Sequence, residues 1–393
     1  MQRIDEIRFA LERAGLDAVI CRLPENVLLT SGYYSLTGFS FILFPIAHDP
    51  VLIIYEPELP YAQKSWVKDI RTFGWALRAD NDAYQSVKEL LRDAASSMNL
   101  KSIGYEANFE SVAPPHMSGE PLIPSETTFK MYYQAFPDAH WVDATGLLYR
   151  LRARKTQYEL DKLLLANEVA GFGLKAFYNG LIPGKTEAEL ASEVESAIYA
   201  EGVGYKHVAT AKGWAEVMSG PHNSATAFRM FLVSTSRRLE MGDLVLLELG
   251  TVVDGYWSDL TRTGVVGKPS PKQEEIWEVV RNAQKASIEN LVAGKLAKEA
   301  DIAAYRKIQE AGLDKYYPHF TGHGLGFRYH EPYPMLRSDN QDEILEEGMV
   351  TSVEPGIYIE GIGGIRIEDN IAILADGPAY ISTFPRELNL KGQ

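Results

Sequence analysis

The sequence is poor in cysteine and contains no long apolar run. Its single cysteine, Cys21, excludes an intramolecular disulfide and is typical of a reducing compartment. The longest apolar stretch, near residues 39–47, is too short to cross a bilayer and contains Pro45. Residues 1–15 lack the basic and then apolar order of a signal peptide. We therefore expect a cytoplasmic protein that has no membrane partner.

An excess of positive charge is also absent. The chain carries 39 basic and 53 acidic residues, which gives a net charge of −14 without a run of like charge. This balance argues against nucleic acid or an anionic membrane as the main partner. The chain does have 46% hydrophobic residues over 393 positions, which is enough for two domains with separate cores.

The first part of the chain, residues 1–147, alternates short apolar runs with helical patterns. This alternation predicts an α/β domain. No cluster of catalytic or metal-binding residue types occurs in it. The strands that we predict in its first third lie at residues 17–21, 26–30, 39–45 and 51–55.

The second part, residues 148–393, begins with helical patterns and continues into strands and glycine-rich loops, which predicts an α+β domain. Thr186 and Glu189 have the spacing of a capping box, and Pro271 suits the first turn of a helix. The helices that we predict here lie at residues 156–178, 186–201, 271–292 and 298–311.

The most informative stretch covers residues 244–263, where two runs of strand-forming residues flank an Asp-Gly dipeptide. Asp254 and the glycine after it favour a tight hairpin turn. With these two residues as the loop, Glu248 lies opposite Thr261, and Asp259 lies diagonally from Glu248 on the same face. Two carboxylates in this arrangement repel each other unless a cation or a proton lies between them.

Three further segments of the second part place acidic or imidazole groups beside glycine, and they contribute His323, Glu354 and Glu368. If the loop between the last two of these segments centres on Gly361, Glu354 and Glu368 become cross-strand neighbours. Arg366 alternates onto the same face as Glu368 and could support a ligand from behind.

The predicted ligand set consists of four carboxylates and one imidazole. Such an oxygen-rich set suits Mn²⁺ or Co²⁺, and suits Zn²⁺ or Fe²⁺ less distinctively. Carboxylates can bridge two ions, which would activate a water molecule and polarise a carbonyl group. We therefore predict a centre for two divalent metal ions. Its ligands are Glu248, Asp259, His323, Glu354 and Glu368.

Four motifs in the second part resemble those of the pita-bread M24 metallopeptidase family, which includes prolidase, aminopeptidase P and creatinase. In chain order they are DGYWSDLTRT, GHGLG followed by YHEP, VEPGIY, and IRIED. In the first part, ENVLLTSGY and LTGF resemble the extra domain of the prolidase and creatinase branch. The resemblance implies an N-terminal α/β domain, residues 1–147, and a catalytic pita-bread domain, residues 148–393. It also implies a homodimer, because in this branch the N-terminal domain shapes the partner's active site.

The resemblance also assigns roles to individual residues. The five ligand positions of the family fall on the ligand set predicted above. Glu354 matches the glutamate that acts as general base in the peptidases, and His330 matches the histidine that contacts the substrate and steadies the scissile carbonyl.

Two positions depart from the family pattern. The first ligand is normally aspartate, and the longer side chain of Glu248 changes where its carboxylate reaches, which would leave two outcomes open: a two-ion centre, or one in which one ion is displaced or weakly bound. The peptidases also carry an upstream histidine at a position that Phe231 occupies here. His222 lies in Gly-Pro-His-Asn, which is similar to the sequence around the catalytic histidine of creatinase. His222 is therefore the candidate to take over the catalytic role.

These features support three hypotheses about function. The leading one is a metal-dependent hydrolase of the prolidase or aminopeptidase P type, which cleaves X–Pro peptide bonds through a metal-activated water. The alternative is a creatinase-like or ectoine-hydrolase-like C–N hydrolase, or a lyase, that acts on a small nitrogenous or zwitterionic compound. The third is an inactive pita-bread domain that only binds a partner. Carboxylate or imidazole at all five ligand positions argues against the third, because an inactive domain has no reason to keep mutually repelling acids.

Overall fold

The structure, a computed structural model, describes residues 2–74, 82–108, 125–229 and 233–389. The chain divides into two compact units, Met1–Arg152 and Ala153–Gln393. The division lies at the C-terminal end of the helix Thr145–Ala153, and the boundary expected after residue 147 would fall inside that helix.

The first unit contains a mixed sheet. Its central strand, Ala18–Cys21, pairs with an antiparallel strand on one side and a parallel strand on the other. All residues of this strand are buried, as is typical of a strand covered on both faces. Its described strands are β1 (Ala18–Cys21), β2 (Phe41–Pro45), β3 (Val51–Tyr55), β4 (Asp69–Phe73), β5 (Ser102–Tyr105) and β6 (His140–Asp143). They lie in the order β4-β3-β2-β1-β5-β6.

Helices alternate with these strands along the chain, which confirms the predicted α/β class of the first unit. The described helices are α1 (Gln2–Arg13), α2 (Pro24–Ser31), α3 (Leu59–Ala62), α4 (Ala83–Ala94), α5 (Glu126–Ala135) and α6 (Thr145–Ala153). None of the helices described in either unit is both long and apolar enough to cross a bilayer.

The strand predicted at residues 26–30 is wrong, because these residues belong to α2. Pro24 lies in the first turn of this helix, and Gly32 ends it with a φ of 70°. The residues between them are buried all round. A short run that is buried on every side has no alternation that would distinguish a strand from a helix.

The second unit is built around a long hairpin. Its strands are β8 (Leu244–Val253) and β9 (Tyr256–Val265), and β7 (Ala211–Ser219) pairs with β8 on the other side. Asp254 and Gly255 form the turn with φ values of 48° and 91°, as the sequence predicts. Val253 faces Tyr256, which sets the register of the whole hairpin.

Two further sheets follow in the second unit. The first has the order β11-β10-β12-β15-β16 and contains β10 (Gly322–Gly324), β11 (Glu331–Leu336), β12 (Val350–Val353), β15 (Asp369–Leu374) and β16 (Gly377–Tyr380). The second is the antiparallel pair β13 (Gly356–Ile359) and β14 (Gly363–Arg366).

The described helices of this unit cover its sheets. Three of them begin with the capping box in which Ser or Thr and a downstream Glu or Gln bond each other's backbone, and Thr186 with Glu189 is the one predicted. All the α-helices described in this unit are α7 (Gln157–Gly180), α8 (Glu187–Gly202), α9 (Gly220–Asn223), α10 (Pro271–Ile288) and α11 (Lys298–Glu310). Helices followed by mainly antiparallel strands confirm the α+β class of the second unit.

A fully buried ion pair ties β9 to β15. Arg262 Nη2 lies 2.8 Å from Asp369 Oδ1, and both side chains are inaccessible to solvent. Arg262 also donates to the carbonyl oxygen of Glu368 at 2.6 Å, and Gln284 donates to the second oxygen of Asp369 at 3.0 Å. Because buried charges are tolerated when they are paired and hydrogen-bonded, this network fixes the backbone around Glu368.

We expect Asp369→Asn to lower the free energy of unfolding by about 3–5 kcal/mol, because it leaves the buried Arg262 guanidinium without a counter-charge. Urea unfolding followed by tryptophan fluorescence would measure this. Glu278→Gln breaks an exposed ion pair with Arg281, 2.7 Å long, and serves as the control. It should change stability by less than about 1 kcal/mol. Equal unfolding midpoints for the two variants would contradict the structural role of the buried pair.

Candidate metal centre

Two carboxylates of the cluster come from the long hairpin. Glu248 pairs with Thr261, and Asp259 pairs with Gly250, so the acids lie diagonally on one face, as the register predicts. Asn370 holds the backbone of Asp259 from β15, since its side chain accepts from the Asp259 amide at 3.1 Å and donates to the Asp259 carbonyl oxygen. The position of Asp259 is therefore fixed from two sheets.

Two further carboxylates come from the junctions between short strands. Val353 pairs with Asp369, and Gly356 pairs with Arg366, so both ladders have a register that places Glu354 opposite Glu368. This is the neighbour relation expected from a loop centred on Gly361. The backbone amide of Glu368 donates to the carbonyl oxygen of Thr261 at 3.1 Å, which brings Glu368 beside the hairpin.

The imidazole comes from β10. His323 is buried, and its Nδ1 lies 2.9 Å from the carbonyl oxygen of Gly324. A carbonyl oxygen only accepts, so Nδ1 is the donor in this contact and Nε2 is directed toward the carboxylates. Nε2 lies 3.4 Å from Asp259 Oδ2 and 3.5 Å from Glu354 Oε1. This is the arrangement of a histidine ligand that is oriented by its other nitrogen.

The glycines on either side of His323 allow neighbouring strands to approach closely. A Cβ atom on Gly322 would lie 2.1 Å from the carbonyl oxygen of Ser352, and one on Gly324 would lie 1.8 Å from that of Tyr333. Neither distance is possible for a real side chain. These two glycines therefore make room for neighbouring backbone.

The predicted ligands lie together in overlapping groups. Asp259, His323 and His330 form one group, His323, Glu354 and Glu368 a second, and Glu248, Asp259 and Glu368 a third, each with ligand atoms within 4.8 Å of one another. Two buried oxygens, Asp259 Oδ1 and Glu368 Oε1, have no hydrogen-bond donor among the described residues. Buried carboxylate oxygens without donors are costly, and a cation would satisfy them. The residues present therefore fit a divalent metal ion.

The charges of the cluster support the same interpretation. Burial raises the pKa of Asp259, Glu354 and Glu368, and the neighbouring carboxylates raise it further. Burial acts on Glu248 as well, but the charge of Arg366 and several hydrogen bonds outweigh it and lower the pKa of Glu248 to about 2. Without a cation, the cluster therefore retains protons on some of its acids.

Arg366 contacts the cluster through Glu248. Its guanidinium group forms an ion pair with Glu248, donates to Thr261 Oγ1 at 2.9 Å and donates to the hydroxyl of Tyr358 at 2.8 Å. The Tyr358 hydroxyl also lies 3.0 Å from Nε2 of His319. Burial lowers the pKa of His319 to about 4, so this histidine is neutral and structural.

The two predicted histidines outside the ligand set differ in position. His330 is half-buried, and its ring centroid lies 4.3 Å from that of His323, at the edge of the cluster. The side chain of His222 is 74% exposed and pairs with Glu360. Among the contacts of the described residues, the structure does not bring His222 to the cluster. Phe231, the other unusual position, lies outside the described residues.

The sequence analysis did not predict two residues that contact the cluster. Glu216 pairs with Glu248 across β7 and β8, and burial together with the charge of Glu248 raises the pKa of Glu216 to about 8. The hydroxyl of Tyr329 donates a hydrogen bond to Glu248. The sequence carried a signal for Tyr329, which directly precedes His330 in the YHEP motif. It carried none for Glu216, because no strand was predicted at β7.

The fold and the buried carboxylate–histidine cluster define a metal-dependent hydrolase of the pita-bread class. Residues 161–375 match the model of "Metallopeptidase family M24", and residues 3–154 match that of "Creatinase/Prolidase N-terminal domain". The chain belongs to metallopeptidase family M24. This membership implies binding of divalent metal, and the acidic and histidine groups of the centre could hold it.

Similar proteins match over nearly the full length. The chain is 31% identical to the putative dipeptidase YkvY of Bacillus subtilis, over 99% of each protein. It is 30% identical to the Xaa-Pro dipeptidase of Pyrococcus furiosus, over 98% of this chain and 99% of that protein. Among solved structures, the Xaa-Pro dipeptidase from Bacillus anthracis superimposes with a TM-score of 0.79 at 27% identity, over 99% of both chains.

We expect Mn²⁺ binding to the metal-free protein to release protons, because Asp259, Glu354 and Glu368 have raised pKa values and must be deprotonated as ligands. Acid favours the protonated, metal-free form, so the affinity for metal should fall as the pH drops. Titration calorimetry in buffers of different ionisation enthalpy would measure both effects. Glu368→Gln should release fewer protons, and an affinity that is independent of pH would contradict the expectation.

Proposed function

We propose that the protein is a metal-dependent dipeptidase that hydrolyses X–Pro bonds in dipeptides or short peptides. The observation that carries the proposal is the buried cluster of four carboxylates and His323. Two of the carboxylate oxygens in this cluster have no hydrogen-bond donor among the described residues. Two of the similar proteins described above are named Xaa-Pro dipeptidases, and both match over nearly their whole length. Within this proposal, the second unit, Ala153–Gln393, is the catalytic one.

The residues of the centre suit this reaction. When bound, a divalent ion would activate water and polarise the scissile carbonyl group. The Glu354 carboxylate is placed to accept a proton from the attacking water, because Oε1 lies at the cluster and burial raises its pKa. The nitrogen of an X–Pro bond carries no hydrogen, so it must gain a proton as it leaves, and Glu354 can return the one it accepted. His330 lies at the solvent-accessible edge, where its ring can hydrogen-bond the substrate carbonyl.

The ligand set favours Mn²⁺ or Co²⁺ over softer ions, because its donors are mainly carboxylate oxygens, although Zn²⁺ and Fe²⁺ also accept such donors. The overlapping ligand groups are compatible with as many as two ions. We further propose a homodimer in the cytoplasm. The free, buried Cys21 is consistent with a reducing compartment, and size-exclusion chromatography with light scattering would test the dimer.

The alternative function, C–N hydrolysis or lyase chemistry on a small zwitterion, is not favoured by the similar proteins. It would gain support if the exposed His222 proved essential.

We expect the purified protein to hydrolyse X–Pro dipeptides and to lose activity when a chelator removes the metal, because the bound metal activates the attacking water. Proline release by amino-acid analysis, with Mn²⁺ or Co²⁺ restored, would measure this. Glu354→Gln should lose at least about 10²-fold in kcat, because it removes the proton acceptor. Glu360→Gln changes an exposed glutamate in the same way and should keep near wild-type activity. Turnover of creatine-like compounds without X–Pro cleavage would overturn the proposal.

We expect His222→Ala to change kcat by less than about tenfold, since an exposed side chain that contacts Glu360 supplies little of the stabilisation that general acid–base groups provide. The same dipeptide assay would measure it. A loss as large as that of Glu354→Gln would restore the catalytic role that the resemblance to creatinase implies for His222.

A further inference from the structure

Tyr329 places a hydroxyl group inside the candidate metal centre. The residue is buried, and its hydroxyl donates a hydrogen bond to Oε1 of Glu248. Its ring rests on Gly250, the cross-strand partner of Asp259. The hydroxyl therefore lies on the face of the hairpin that carries Glu248 and Asp259, which is where a cation shared by these two acids would have to bind.

The second oxygen of Glu248 is also fully engaged. Oε2 forms the ion pair with Arg366 and lies 2.7 Å from Thr261 Oγ1, a hydroxyl that lies 2.8 Å from Glu368 Oε2 as well and can donate to only one of the two acids. Both oxygens of Glu248 thus face donors, and its charge is neutralised. Asp259 Oδ1 and Glu368 Oε1, in contrast, face no donor among the described residues. On one side of the cluster, the Arg366 guanidinium therefore balances the charge of Glu248. On the other side, Asp259 and Glu368 each have an oxygen to which no described residue donates.

The surrounding residues hold the Tyr329 ring in this position. A Cβ atom on Gly250 would lie 2.8 Å from Cε2 of Tyr329, so the ring rests directly on the glycine backbone of β8. The Trp257 ring packs against Tyr329 with centroids 5.6 Å apart, and Trp214 stacks on Trp257 at 5.0 Å. A ring fixed on two sides presents its hydroxyl without a large loss of side-chain freedom.

We propose that Tyr329 makes this a one-ion centre. The ion is held by Asp259, His323, Glu354 and Glu368, while Glu248 is a positioning residue that Tyr329, Thr261 and Arg366 retain. A second ion at Glu248 would have to displace the Tyr329 hydroxyl from Oε1 and lie beside the guanidinium charge, which repels it. This inference rests on the proposed function only in requiring a metal-dependent site.

The test is the metal stoichiometry of chelator-stripped protein that is reloaded with Mn²⁺. Equilibrium dialysis with elemental analysis gives the ions per chain, and the Mn²⁺ paramagnetic resonance spectrum separates isolated ions from a coupled pair. We expect one isolated ion in the wild type. Tyr329→Phe keeps the ring but removes the hydroxyl, and it should raise the affinity for a second ion by at least about tenfold and produce a coupled spectrum. Tyr178→Phe is the control, because the hydroxyl of Tyr178 donates to the carbonyl oxygen of Glu387 instead.

Two outcomes would overturn the inference: a coupled pair of ions in the wild type, or a Tyr329→Phe variant that still binds one ion. If Tyr329→Phe does not fold, the wild-type stoichiometry alone decides. The dipeptide assay is run separately on the same samples. One bound ion without X–Pro cleavage would leave the inference intact and refute the function. X–Pro cleavage by a wild type that binds two ions would support the function and refute the inference.

Discussion

The structure of the second unit depends on balancing the negative charge of four acids that are buried close together. Glu248, Asp259, Glu354 and Glu368 come within a few ångströms of one another, and such carboxylates cannot all be ionised without a cation. Part of the compensation is built into the chain. Arg366 neutralises Glu248 at the cluster, and behind it Arg262 neutralises Asp369. The rest must come from a proton or a bound ion, and for this reason the fold and the chemistry of the site cannot be separated.

The two arginines have different tasks although both are buried. Arg262 directs its donors to backbone carbonyl oxygens and to Asp369, so it fixes where the chain carrying Glu368 runs. Arg366 directs its donors to Glu248, Thr261 and Tyr358, so it sets the charge at the hairpin side of the cluster. A planar guanidinium group with five donors suits both tasks, whereas an ammonium group could satisfy only part of either network.

Much of this arrangement could be predicted from the sequence, because short-range rules determine it. The Asp-Gly turn sets the hairpin register, and the register alone places Glu248 opposite Thr261. The same reasoning from Gly361 brings Glu354 and Glu368 together. The YHEP motif contains Tyr329, but its contact with Glu248 was missed because that contact depends on the tertiary packing of its ring on Gly250. The error at α2 has a related cause, since full burial removes the periodicity on which the prediction relied.

The origin of the ligands has a consequence for how the second unit folds. Asp259 and His323 lie on strands of different sheets, and Glu354 and Glu368 lie at two junctions between strands, so that the four belong to separate segments of the chain. An ion bound by all four closes several large loops at once, as a cross-link does, and so reduces the entropy of the unfolded chain. The free energy of metal binding thereby becomes part of the free energy of folding. Without the ion, protons would have to balance the buried acids instead, and the cross-link between the four segments would be lost.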